Sequence, residues 1–249
     1  MKPLTNPYLK RIAFLVRERE PRRALEAFVR ARRSEDESLD ALARKLGVTR
    51  IIEQRLPFEG GLFQLPDGEL VIKLNSESSF VRKRFTLAHE IAHLLVNTVP
   101  AHRGANRTDE YLERACDLIA AELLMPTVEA TDFISGLGSP SPENLKAIAS
   151  RYTVSLQTAA IRVHNALKLW KCGIGMWSFS PKAKTLWFVG PKRWDDVQPD
   201  VSLLERAASS NTSFQTRDLW RRGEFTEPVW LNLLGVGSTN TIGVVHFVN

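Results

Sequence analysis

The stretch Arg84-Phe-Thr-Leu-Ala-His-Glu-Ile-Ala-His-Leu-Leu sets His89, Glu90 and His93 in the order H-E-x-x-H. Residues four apart on a helix share a face, so both imidazoles can reach a single metal ion. Glu90 projects roughly 100° further round and can reach a water beside that ion without ligating it. The chemistry suited to such a set is metal-assisted hydrolysis of a peptide bond. A divalent ion lowers the pKa of water and polarises a carbonyl. Glu90 would then act as general base, taking the water's proton and passing it to the leaving amine.

A catalytic zinc takes three protein ligands and keeps one position open. The metzincin continuation needs Gly at 96 and His at 99, and those positions hold Val96 and Val99, which excludes that subclass. Glu113, twenty residues past His93, is the preferred third ligand. Asp109, Glu110 and His102 compete for the place but lie in or beside a loop. Asp117, four residues beyond Glu113, shares its face and can accept the free ring N–H of a ligating histidine. Candidate donors for the oxyanion are Tyr111, His102, Arg103, Tyr152 and His164, among which the sequence does not choose. Zinc is the expected metal, and nitrogen and oxygen ligands also accept manganese or another divalent ion.

These residues need two helices held close together. The apolar spacing predicts one from Ser79 to about Val96, capped by Ser78 or Ser79, and a second from about Asp109 to Leu124, stopped by Pro126. Phe85, Leu87, Ile91, Leu94 and Leu95 would bury the first, and Ala115, Ala120 and Ala121 would let the second approach it. Upstream, three helical pieces fill the first ~46 residues. Strands are predicted over 49–56, 62–65 and 69–74, with a turn at Gly60-Gly61 and a hairpin at Pro66-Asp67-Gly68.

Composition bounds the rest. The chain has 249 residues, 34 Lys and Arg against 28 Asp and Glu, and two cysteines. That excludes a disulfide framework and a cysteine-rich zinc ribbon. No apolar run approaches the ~20 residues needed to span a bilayer. Met1 to Arg11 carries no signal-like core, so the chain is expected to be cytoplasmic and without membrane partners. Residues 1–33 hold ten basic and three acidic side chains, so the surplus charge lies in this arm and not around His89–Asp117. The arm reads as a solvated or partner-docking helix.

The motif at 84–95, followed by Glu113-x-x-x-Asp117-x-x-Ala-Ala-Glu-Leu-Leu-Met-Pro126, resembles the ImmA/IrrE family of metallopeptidases. Leu42-Ala-Arg-Lys-Leu-Gly-Val and the hairpin before the metal helix are similar to that family as well. The resemblance implies a zincin-like fold in which His89, His93 and Glu113 take the metal and Glu90 is the base. It also implies a protein substrate, since family members typically cut helix-turn-helix repressors and so regulate transcription. This chain departs from the family's Glu-Ala-Asn at Ala115-Cys116-Asp117 and has Ile119 for a phenylalanine. Aspartate retains an acceptor.

Residues 145–163 resemble a helix-turn-helix. Gln157, Thr158, Arg162 and His164 could face DNA, but Leu156, Ala159, Ala160, Val163 and Leu167 make a packing role the preferred reading. The tail beyond Cys172 reads as strands whose Trp and Phe residues are core. The expected class is α+β. A mostly helical zincin-like domain with a small antiparallel sheet spans 1–138, a helix-turn-helix-like segment 139–171, and a small α+β region 172–249. The competing functional reading is a non-catalytic regulator or partner-binding protein that retains the fold.

Overall fold

The computed structural model describes residues 38–96, 110–179, 184–191, 194, 197, 199–210, 212–222 and 225–247. The basic arm, His102, Arg103 and Asp109 lie outside the described residues, as does the side chain of Tyr111. The chain divides into two compact units, Met1–Pro126 and Thr127–Asn249.

In the first unit, α1 (Leu39–Lys45) is capped by Ser38, whose hydroxyl accepts from the Ala41 N–H at 3.2 Å. It stops at Gly47, whose φ of +97° favours glycine. Strands β1 (Val48–Gln54), β2 (Gly60–Gln64) and β3 (Leu70–Asn75) form a sheet of order β1-β3-β2. The β2–β3 hairpin is antiparallel as expected, and β1 joins β3 in parallel.

Gly60 and Gly61 do not make the predicted turn; they begin β2. A Cβ on Gly60 would sit 2.7 Å from both the Lys73 carbonyl oxygen and Thr86 Cγ2. The glycine therefore serves close passage of strand against strand and helix rather than chain reversal. Helix α2 (Phe80–Leu95), capped by Ser79, packs on the sheet, and α3 (Glu110–Leu124) packs on α2. Ala88, Ala92, Ala115 and Ala120 are fully buried, and these small side chains allow the two helices to come close.

The second unit opens with α4 (Thr127–Gly136), α5 (Pro142–Tyr152) and α6 (Leu156–Ile161). By its contacts, α4 groups with this unit, whereas sequence placed it in 1–138. The second helix of the helix-turn-helix-like pair is short. After Ile161 it widens into a π turn, Arg162–Ala166, and Lys168 at φ +55° ends it. Arg162 is 2% exposed, with Nη2 donating to Thr127 Oγ1 at 3.0 Å. The Thr158 hydroxyl is engaged with Ser155 Oγ at 2.8 Å. Two of the four side chains a DNA reading would use are thus committed internally, and α5 packs on the strands that follow.

Those strands are β4 (Gly173–Ser178), β5 (Lys184–Val189), β6 (Phe214–Arg222), β7 (Phe225–Val236) and β8 (Asn240–Phe247). They form an antiparallel sheet ordered β5-β4-β8-β7-β6. Helix α7 (Val201–Ala208) lies on one face, where Thr241 Oγ1 donates to the Leu204 carbonyl at 3.1 Å. Trp177, Trp194 and Trp220 are buried together there, so these tryptophans are core as expected. The α+β class holds for both units. No helix among the described residues is long and apolar enough to cross a membrane.

Candidate metal centre

Helix α2 buries the face that carries Leu87, Ala88, Ile91, Ala92, Leu94 and Leu95, and that face holds the polar residues in place. Glu90 and His93 are 6% and 5% exposed. Buried charge is costly unless paired or coordinating, so a carboxylate and an imidazole kept here require partners.

The partners come from α3. His89 Nε2 lies 3.1 Å from Glu113 Oε2 and 3.1 Å from His93 Nε2, while His93 Nε2 lies 3.7 Å from Glu113 Oε1. Ligands about 2.0–2.1 Å from a tetrahedral zinc stand about 3.3–3.4 Å apart. The three separations bracket that edge length, so the donor set fits one ion. His89, His93 and Glu113 form the one such cluster among the described residues.

Each histidine has a second contact that fixes its ring. His89 Nδ1 is 2.9 Å from Asp117 Oδ1, where the N–H can donate to the carboxylate. His93 Nδ1 is 3.5 Å from Cys116 Sγ. Both arrangements leave Nε2 of the two rings facing each other. The Asp117 contact is the one expected from spacing, whereas no expectation attached to Cys116. Its i, i+3 relation to Glu113 was the available signal.

Electrostatics are consistent with this geometry. For the site without metal, burial works to lower the His89 pKa. Hydrogen bonds to Asp117 and Glu113, with the charges of Asp117 and Glu90, outweigh burial and raise it from 6.5 to about 9. Glu90 is therefore close enough for its charge to act on His89. Burial, then the charges of Glu113, Glu90 and Asp117, push the Cys116 thiol up, so it stays protonated and unreactive. Burial likewise takes Cys172 up to about 12.

Of the remaining candidates, Glu110 is exposed at the start of α3 and is not in the cluster. Tyr152 and His164 belong to the second unit. Tyr152 packs its ring edge-on to Phe133 at 6.1 Å.

A helix that offers two imidazoles and a buried carboxylate, faced by a second helix that offers a glutamate, is an arrangement that could serve a zincin-like metallopeptidase domain. Residues 43–164, just under half of the chain, match the IrrE N-terminal-like domain, so this segment is an IrrE-like metallopeptidase domain. The chain is 35% identical over 97 residues to the radiation response metalloprotease IrrE of Deinococcus radiodurans, covering 36% of this chain and 29% of that protein. It is 34% identical over 96 residues to the protein of the same description from Deinococcus deserti, covering 36% and 34%. The match thus spans about a third of these relatives' lengths. In fold, the chain is similar to a Mycobacterium tuberculosis transcriptional regulator, with a TM-score of 0.54 at 13% identity, over 97% of this chain and 81% of that one.

Proposed function

We propose that this protein is a zinc-dependent endopeptidase of narrow specificity that cleaves a DNA-binding transcriptional repressor. The observation that carries the peptidase reading is the set of separations among His89, His93 and Glu113, with Glu90 buried beside them. His89, His93 and Glu113 would hold the ion. An ion held there supplies Lewis acidity toward water and a peptide carbonyl.

The chain's own residues do the rest. Asp117 and Cys116 keep the two rings turned so that Nε2 of each is free to ligate. Glu90 accepts a proton from the attacking water on its carboxylate and returns it to the leaving nitrogen. Burial of Glu90 and His93 keeps bulk water from the proton transfer and strengthens the local field. The repressor as substrate follows from the family resemblance. The intracellular setting expected from sequence is part of the same proposal.

Glu90→Gln tests this. The variant is expected to bind zinc as tightly as the parent and to lose about 10²–10⁴-fold in cleavage of its repressor substrate. Full activity in Glu90→Gln would instead favour a regulator that acts by binding.

A further inference from the structure

The two faces of the five-stranded sheet differ in chemistry. One packs Trp177, Trp194 and Trp220 beneath α7 and is sealed. On the other, the register sets Arg217, Trp230 and His246 in one row across β6, β7 and β8, with Gln215 beside Asn232 in the next row. Gln215, Trp230, Leu231, Asn232 and His246 line an open cavity of about 290 Å3.

Three features there call for a ligand. Trp230 is 40% exposed although the Arg217 guanidinium lies 4.3 Å from its ring centroid. A large ring left open on a sheet is a stacking platform. Asn232 is only 8% exposed, and its Oδ1 is buried with no hydrogen-bond partner. Such an atom is uncommon in a finished core and leaves one acceptor unmet at the cavity wall. The outward positions of β6 are Gln215, Arg217, Leu219 and Arg221, all exposed, so this row of the edge strand carries two positive charges.

We propose that this face binds an adenine nucleotide unit. The base stacks on Trp230, and the Asn232 amide accepts from the exocyclic N6 amine while donating to N7. The Arg217 and Arg221 guanidiniums meet the phosphate. Guanine presents acceptors at both O6 and N7 and so leaves the Asn232 acceptor unmet. The cavity is at the small end for ligand sites, the size of a base and not of a dinucleotide. The unit can come from a free nucleotide or from single-stranded nucleic acid, whose bases are equally open to stacking.

Titration of the full-length chain with AMP, GMP, inorganic phosphate and single-stranded oligo-dA, read by tryptophan fluorescence, tests this. AMP or oligo-dA is expected to quench emission saturably, with GMP and phosphate weaker. Saturation by AMP identifies the free nucleotide as sufficient, and saturation by oligo-dA alone identifies the polymer. Trp230→Ala and the exposed-site variant Arg217→Gln should each weaken binding about tenfold, with circular dichroism unchanged. Arg217→Gln should also flatten the salt dependence. Asn232→Leu, which removes the unpaired amide at similar volume, should erase the preference for AMP over GMP. Absence of saturable binding by either adenine probe overturns the proposal. So does phosphate competing as well as AMP, or affinity indifferent to Trp230→Ala and Arg217→Gln.

Discussion

Replacing Asp117 by alanine isolates the part of metal affinity that comes from orienting a ligand. Asp117 Oδ1 stands 2.9 Å from His89 Nδ1 and is no member of the His89–His93–Glu113 cluster. Loss of such a supporting partner costs about 10–100-fold in metal affinity. Here the carboxylate side chain is 58% exposed and the imidazole 16%. Solvent screens the charge on the aspartate side, so the effect should fall near the lower end, about tenfold. Asp117→Asn keeps an acceptor for the ring N–H and should fall between wild type and Asp117→Ala. Glu113→Ala removes a donor atom outright and should cost more than either. Competition against a chromophoric zinc chelator at fixed pH gives all four constants. If Asp117→Ala matches wild type, or if Asp117→Asn is the weaker of the two, the orienting argument is wrong.

The pKa of His89 sets a pH signature. A ligand whose pKa stands near 9 must release a proton when it binds metal, so zinc affinity should fall steadily as pH drops below that value. Calorimetry in two buffers of different ionisation enthalpy counts the proton, and none released would refute the protonation state. For the metal-free protein the same shift has a stability consequence. The folded pKa exceeds the reference 6.5, so the His89 contribution is complete below 6.5 and disappears as pH rises through about 9. Urea midpoints of the metal-free protein across that window should decline toward the alkaline end. Finally, Gly60→Ala sets a Cβ 2.7 Å from the Lys73 carbonyl, a backbone atom that cannot rotate away. It should lower stability by about 1–3 kcal/mol, visible as a shifted urea midpoint at unchanged slope.

How much of this was legible beforehand depended on whether the cause was local. The H-E-x-x-H pair, the Ser79 cap and the stop at Pro126 follow from spacing within a single helix, and the structure has α2 and α3 where the apolar pattern put them. Glu113 and Asp117 were legible because they lie one turn apart on one face of α3, the face that Ala120 shares. Gly60-Gly61 misled because glycine serves turns and close packing alike, and only the position of Thr86 tells them apart. The helix-turn-helix resemblance gave no sign that the Arg162 guanidinium reaches Thr127, a partner 35 residues away. No periodicity within 155–170 encodes that partner.

The same distinction explains the unequal support of the two metal-site histidines. His89 leans on Asp117, a carboxylate whose role is readable from chemistry and spacing. His93 leans on Cys116, which a sequence reading counts as a small buried apolar residue. A protonated thiol is a weak acceptor, whereas a carboxylate accepts strongly from an imidazole N–H. Burial compensates on the weaker side, because His93 is enclosed at 5% exposure and its ring is held by packing as well as by the sulfur. His89, at 16% exposure, is less enclosed than His93 and meets a carboxylate that is itself open to solvent. The arrangement therefore divides the work of holding two rings between packing for one and electrostatics for the other, and salt should weaken the support of His89 more than that of His93.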